Sequence, residues 1–371
     1  MQRYIIILYH IDIEILDKIL DIFLPYTITF GHIFKKYGDF IDALSNNRIC
    51  FLPDTNILLR AKDMVACNAV SRDKEEDKNY KIIAAMSLLS KSYNIGNIYM
   101  PALMEFIDYE ELNGVNPKES MELTFKKFFD ARVIIECTDI NSLIDYIIYN
   151  CKYLYIDPLI SSNKEFGEKL NNECYYISFD SYIQGHNILD KRYFQHDVAY
   201  CYLCKAWLIN NDSNKTREEK YDYFIDWLIS DFVFDPISFI FVVKYFANLI
   251  SFAPKKNNDI FMRIENQVRD ILFLRNFYYS CIEIENKDVI FVSLDKKLLK
   301  LASWCSCFYD ENSKKTKLCV INNIFDDCFI SKKCIEKLLE KLNELNGRSF
   351  PSGFIQKLNN IIIELREAIK R

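Results

Sequence analysis

The first stretch with a clear hydrophobic rhythm is residues 11–24, IDIEILDKILDIFL. Ile11, Ile15, Leu16, Ile19 and Leu20 recur there at helical spacing and predict an amphipathic helix. Further helical patterns cover 79–91, 222–230, 237–252 and 259–279. CIEKLLEKLNEL and FIQKLNNIIIELREAIK fill much of 332–371, with Gly347, Pro351 and Gly353 between them. Five short runs interrupt the helices: 48–53 (RICFLP), 97–100 (NIYM), 132–137 (RVIIEC), 288–293 (DVIFVS) and 317–321 (KLCVI). They are apolar on both faces and do not alternate, the pattern of strands covered by helices on each side of a parallel sheet. Thr138-Asp139 after the third run predicts a helix cap.

The expected fold is therefore α/β: a parallel five-stranded sheet flanked by helices. The third and fourth runs lie about 150 residues apart, far more than the dozen or so that a crossover requires. This predicts a large helical insertion at about 140–287 within a domain spanning 48–330. Residues 1–47 form an N-terminal helical extension in this reading, and residues 331–371 a C-terminal helical tail.

Composition narrows the chemistry. The chain has 8 Gly in 371 residues, about 2% against an average near 7%. The glycines are scattered, so no GxxxxGK[ST] phosphate loop, no GxGxxG fingerprint and no GxSxG elbow exists. Any phosphate chemistry must use something other than a glycine cradle. Net charge is −5, which disfavours a generic nucleic-acid coat but not an enzyme with a local basic rim. The 13 cysteines are odd in number and follow no framework spacing, so they read as free thiols of a cytoplasmic protein. Tyr4–Tyr9 is too short and too closely followed by charge to cross a bilayer, and no membrane association is expected.

Acidic residues stand where an α/β sheet places ligands, beyond the carboxyl ends of strands. Asp54 follows the first run and Asp295 the fourth. Glu105 falls one turn into the helix expected after the second, with Glu110 and Glu111 as alternatives on the same helix. Asp197 is expected to open the helix HDVAYCYLCKAWL. Each also has a plainer reading. Asp54 and Asp295 suit helix N-caps, and Asp197 suits the positive end of a helix dipole.

These windows resemble the motifs of PIN-domain nucleases, in family order. CFLPDTNILL is similar to the first motif, MPALMEFI to the second, HDVAYCYLCKAW to the third and VIFVSLDKKLLKLA to the fourth. The long spacers resemble the larger PIN-like proteins. The resemblance implies that Asp54, Glu105, Asp197 and Asp295 hold Mg²⁺ or Mn²⁺ and carry catalysis. Asn56 and Ser293 would orient ligands or substrate. Apart from the resemblance, Lys296, Lys297 and Lys300 form a basic run after Asp295 that suits either substrate phosphate contacts or a solvated face. The implied activity is hydrolysis of a phosphodiester by a metal-activated water, leaving 5′-phosphate and 3′-hydroxyl ends. RNA is the preferred substrate over DNA, in a toxin, defence or processing role left open. The insertion and tail would shape substrate entry or bind an inhibitory or regulatory protein; homo-oligomerisation is left open. The alternative is a catalytically silent PIN-like module for RNA binding or assembly. A phosphatase with an Asp nucleophile is disfavoured, since Asn56 stands where a second Asp is wanted.

Other candidates read more plainly. Cys201 and Cys204 form CxxC inside a helical pattern and predict buried thiols rather than zinc ligands, as do Cys305 and Cys307. None of His10, His32, His186 and His196 sits in a metal-binding spacing. His196 is expected to be structural. Lys191 with Arg192, and Lys314, Lys315 and Lys317, are basic clusters that suit either a solvated face or phosphate contacts. Tyr193 and Phe194 suit either core packing or base stacking.

Overall fold

A computed structural model describes residues 11–29, 49–66, 74–99, 102, 135, 138–149, 186–252, 259–283, 288–310, 315–320, 324–345 and 353–371. The chain divides into two compact units, Met1–Ile183 with Tyr279–Leu299, and Gln184–Tyr278 with Lys300–Arg371.

The first unit is α/β. Helix α1 (Ile13–Phe23) matches the first predicted helix and buries Leu16, Ile19, Leu20 and Phe23. Asp12 caps it by accepting a bond from the Glu14 N–H at 2.8 Å. A short 3₁₀ turn over Leu24–Tyr26 leads into β1 (Thr27–Thr29). Strand β2 (Ile49–Pro53) is buried at every position. It is followed by α2 (Thr55–Ala66), α3 (Lys74–Ser92) and β3 (Gly96–Asn97). Asp139 caps α4 (Ile140–Ile148), its side chain accepting from the Ser142 N–H at 2.9 Å, as the Thr138-Asp139 signal predicted. Strand β4 (Asp288–Val292) completes a sheet ordered β1-β4-β2-β3.

Three expected strands, β2, β3 and β4, run parallel in this sheet. The apolar runs of β2 and β4 are buried, and Phe23 of α1 meets Phe51 edge-on at 5.3 Å. Among the described residues the sheet is mixed and four-stranded, which departs from five parallel strands in three respects. Strand β1 was not foreseen and pairs antiparallel with β4. The third run lies mostly outside the described residues, and Ile135 within it is helical. A short apolar run does not by itself distinguish strand from buried helix. The fifth run forms a separate hairpin in the second unit.

That second unit is mainly helical: α5 (His186–Asn211), α6 (Arg217–Asp231), α7 (Pro236–Phe246) and α8 (Ile260–Glu283, up to Tyr278 within the unit). After α9 (Lys296–Ser303) come β5 (Cys305–Asp310), β6 (Lys315–Val320), α10 (Lys332–Leu345) and α11 (Phe354–Lys370). β5 and β6 pair antiparallel with each other in a two-stranded sheet. Tyr202 anchors the helical core. Its hydroxyl donates to the Val233 carbonyl at 2.7 Å and accepts from the Asp235 N–H at 2.8 Å. Asp235 caps α7 and is ion-paired with the buried Arg275 of α8. α7 is nearly all apolar and buried around its circumference, which explains its weak amphipathic pattern.

Candidate functional site

The parallel pairing of β2 with β4 sets Pro53 beside Val292, so the two strands end at the same level. Proline has no N–H to donate. The next ladder bond therefore comes from Asp54, whose N–H donates to the Val292 carbonyl at 2.9 Å. This places Asp54 against Ser293, 239 positions later in the chain, and the Ser293 hydroxyl donates to Asp54 Oδ2. The same Ser293 oxygen accepts from the Asp295 N–H at 2.9 Å. Ser293 is itself held by its N–H, which donates to the Tyr26 carbonyl at 3.0 Å just before β1. The unforeseen antiparallel strand thus supports the site, and the only sequence signal for it was the β-branched TIT at 27–29.

Both acids are helix caps, as their plainer reading held. Asp54 Oδ1 accepts from the Ile57 N–H at 2.8 Å at the start of α2. Asp295 Oδ1 accepts from the N–H groups of Lys297 and Leu298 at 2.7 and 3.1 Å at the start of α9. Capping alone does not account for their setting. An exposed Ser, Thr or Asn caps as well, whereas Asp54 is 1% exposed. Both cap bonds to Asp295 fall on Oδ1, so Oδ2 takes no part in the cap.

Burial pushes the Asp54 carboxyl up from its ordinary 3.8 to about 6. Bonds from Ser293, the Ile57 N–H and Asn56 pull the other way, and the negative charge of Asp295 adds to the rise. The folded protein therefore holds an anion at a place where burial and a second carboxylate both oppose it. A bound cation relieves both terms. Asp54, Asp295 and the side chain of Asn56 offer oxygen donors of the kind that Mg²⁺ and Mn²⁺ prefer. By donor type these residues fit a divalent ion. Among the described residues, however, no group of three or more His, Cys, Asp or Glu side chains is arranged to hold one.

The remaining predicted residues are placed as follows. Lys296 and Lys297 are the first two residues of α9; Lys296 is exposed and Lys297 half-buried. Glu105, with Glu110, Glu111 and most of the window MPALMEFI, lies outside the described residues, as does Lys314. The side chains of Lys191, Arg192, Tyr193, Cys307, Lys315 and Lys317 are also outside the described set. Asp197 belongs to the second unit. It does not open a helix, because α5 already begins at His186; the helix extends upstream of the point where its apolar periodicity becomes evident.

Around Asp197 the second unit carries a charged network that sequence reading missed. His196 Nδ1 lies 3.3 Å from Asp197 Oδ1, and Nε2 lies 2.9 Å from Glu265 Oε2 on α8. Arg366 of α11 lies 3.8 Å from the other Glu265 oxygen and donates to the Tyr200 hydroxyl at 2.9 Å. Burial disfavours the charged imidazole, but the two carboxylates outweigh it and push His196 up to about 9. The network ties α5, α8 and α11 together, which agrees with the structural role expected of His196. Cys201 and Cys204 are buried free thiols, as their helical setting implied. Burial raises both, Cys204 to about 12, so neither is a thiolate at neutral pH.

Among the described residues no helix is long and apolar enough to cross a membrane. Comparison of the chain with family models, curated proteins and solved structures finds no match.

Proposed function

We propose that the chain is a divalent-metal-dependent nuclease of PIN-like type, cutting RNA in preference to DNA. The observation that carries the reading is the convergence of Asp54 and Asp295 on Ser293, at the ends of two adjacent parallel strands. Convergence of acids at that edge is what the resemblance requires.

Asp54 and Asp295 would hold Mg²⁺ or Mn²⁺, with Glu105 as a further ligand implied by the resemblance. When bound, the ion supplies a water of lowered pKa and stabilises charge on the leaving oxygen. The chain's own groups do the positioning. The Ser293 hydroxyl and the Ile57 N–H fix the two oxygens of Asp54. The Lys297 and Leu298 N–H groups fix Asp295 Oδ1 and leave Oδ2 outside the cap. The N-termini of α2 and α9, whose dipoles favour anions, both begin at this edge. Lys296 and Lys297 would meet the substrate phosphates.

The test is cleavage of single-stranded RNA and DNA oligonucleotides by the full chain with Mg²⁺ or Mn²⁺. Asp54→Asn and Asp295→Asn should each abolish metal-dependent cutting, and EDTA should abolish it in the wild type. Equal cutting by wild type and both variants would overturn the assignment. Cutting that survives EDTA would overturn the metal mechanism. A second reading is an RNA-binding module that does not cut. Binding without cleavage under both metals is its signature.

A further inference from the structure

An open cleft of ≈ 440 Å³ lies within the first unit. Its lining includes Asp21, Tyr26, Asp77, Lys78, Lys81 and Lys296. Two of these residues join it directly to the acidic site. The Tyr26 carbonyl accepts the Ser293 N–H, and Lys296 follows Asp295 in the chain. The volume falls within the range of small-ligand sites, roughly 300–1,000 Å³.

The charges are arranged rather than scattered. Asp77 lies 3.3 Å from Lys81 and accepts from the Tyr146 hydroxyl, also at 3.3 Å, so its charge is offset within α3. Lys78 holds its ammonium 5.3 Å from the centroid of the buried Tyr26 ring, which presents that cation at the cleft wall. Lys296 lines the same cleft from the start of α9. Asp21 is exposed on the rim and weakens the positive field there. The cleft therefore offers two ammonium groups, one of them on the residue that follows Asp295, with one carboxylate limiting their pull.

We infer that this cleft binds a backbone phosphate of single-stranded RNA flanking the scissile one, through Lys78 and Lys296. The inference rests on the nuclease reading for its direction, because it is the links through Tyr26 to Ser293 and through Lys296 to Asp295 that make the cleft a substrate track. Lys78 stands 24 positions after Asp54, outside every motif of the resemblance, so only the packing of α3 beside Tyr26 brings it to the site.

The experiment measures binding of a fluorescent single-stranded RNA oligonucleotide to the full chain across a salt series. All proteins carry Asp54→Asn to suppress cutting. Lys78→Gln with Lys296→Gln should weaken binding and flatten the log–log salt dependence by about 1.4, since each cation that neutralises a phosphate of a single strand contributes roughly 0.7 to the slope. Asp21→Asn should tighten binding, a change that misfolding does not produce. An unaltered slope in the double lysine variant, or no tightening with Asp21→Asn, would overturn the cleft assignment. Cleavage by the wild type with Mn²⁺ is measured in parallel. Cutting combined with lysine-independent binding overturns the cleft and leaves the nuclease standing. Lysine-dependent binding without cutting sustains the cleft and overturns the nuclease.

Discussion

Asp54→Asn should make the protein more stable at alkaline pH while removing its proposed activity. The amide keeps the shape of the carboxylate and an oxygen for the Ile57 N–H, and its NH₂ can donate to Ser293 Oγ. The gain comes from the raised carboxyl. Below the unfolded pKa of 3.8 the group is protonated in both states and no penalty exists. Between 3.8 and about 6 the unfolded chain ionises first, and the folded state loses stability as pH rises. Well above about 6 the loss is complete, and a rise from 3.8 to about 6 corresponds to roughly 3 kcal/mol. At pH 4 the same linkage leaves only a small part of that penalty. Urea unfolding of metal-free wild type and Asp54→Asn at pH 4 and pH 8 should therefore show a stability difference that grows by roughly 2–3 kcal/mol in favour of the variant. Bound metal should reverse the order, since a ligand at about 1,000 times its Kd stabilises by about 4 kcal/mol and the variant lacks the anionic ligand. A variant that is destabilised equally at both pH values would refute the reasoning, because the buried charge would then carry no penalty for the amide to remove.

Ser293→Ala removes the hydroxyl that donates to Asp54 and accepts from the Asp295 N–H. It should cost about 1–3 kcal/mol in urea unfolding. It should also move the pH midpoint of Mn²⁺ binding, followed by calorimetry, upward from about 6. In the second unit, Arg275→Ala leaves the carboxylate of Asp235 buried without its cation and should cost about 3–5 kcal/mol by urea unfolding. His196→Gln tests the charged network: a histidine raised from 6.5 to about 9 contributes stability that is full below pH 6.5 and lost as pH rises through 9. The wild type should lose at most about 3 kcal/mol over that interval and the variant much less, read from thermal unfolding at about pH 6 and pH 9.5.

The α/β class and the central strands were legible because a strand covered on both faces must be apolar at consecutive positions. The runs at 49–53 and 288–292 are of that kind. Helices α1, α3, α6, α10 and α11 were legible from their patterns, and the cap at Asp139 from its residue type. Strand β1 was not, since three residues are too few for a period to emerge. The run in β6 read as a strand, but its partner did not, because pairing is a property of two segments and periodicity is a property of one.

The candidate site divides in the same way. Asp54 and Asp295 could be named from their positions after apolar runs, for local reasons: a strand end, a helix start and a capping residue type. Asn56 and Ser293 were named through the resemblance. The bond between Ser293 and Asp54 spans 239 positions and depends on β4 lying parallel beside β2 with ends level. The rise in the Asp54 carboxyl follows from burial that no local window encodes. His196 with Glu265, and Lys78 over Tyr26, are likewise products of helix packing. The sequence by itself determined which residues were able to serve. The tertiary structure decided which of them meet, because hydrogen bonds and burial act across space while propensity and periodicity act along the chain.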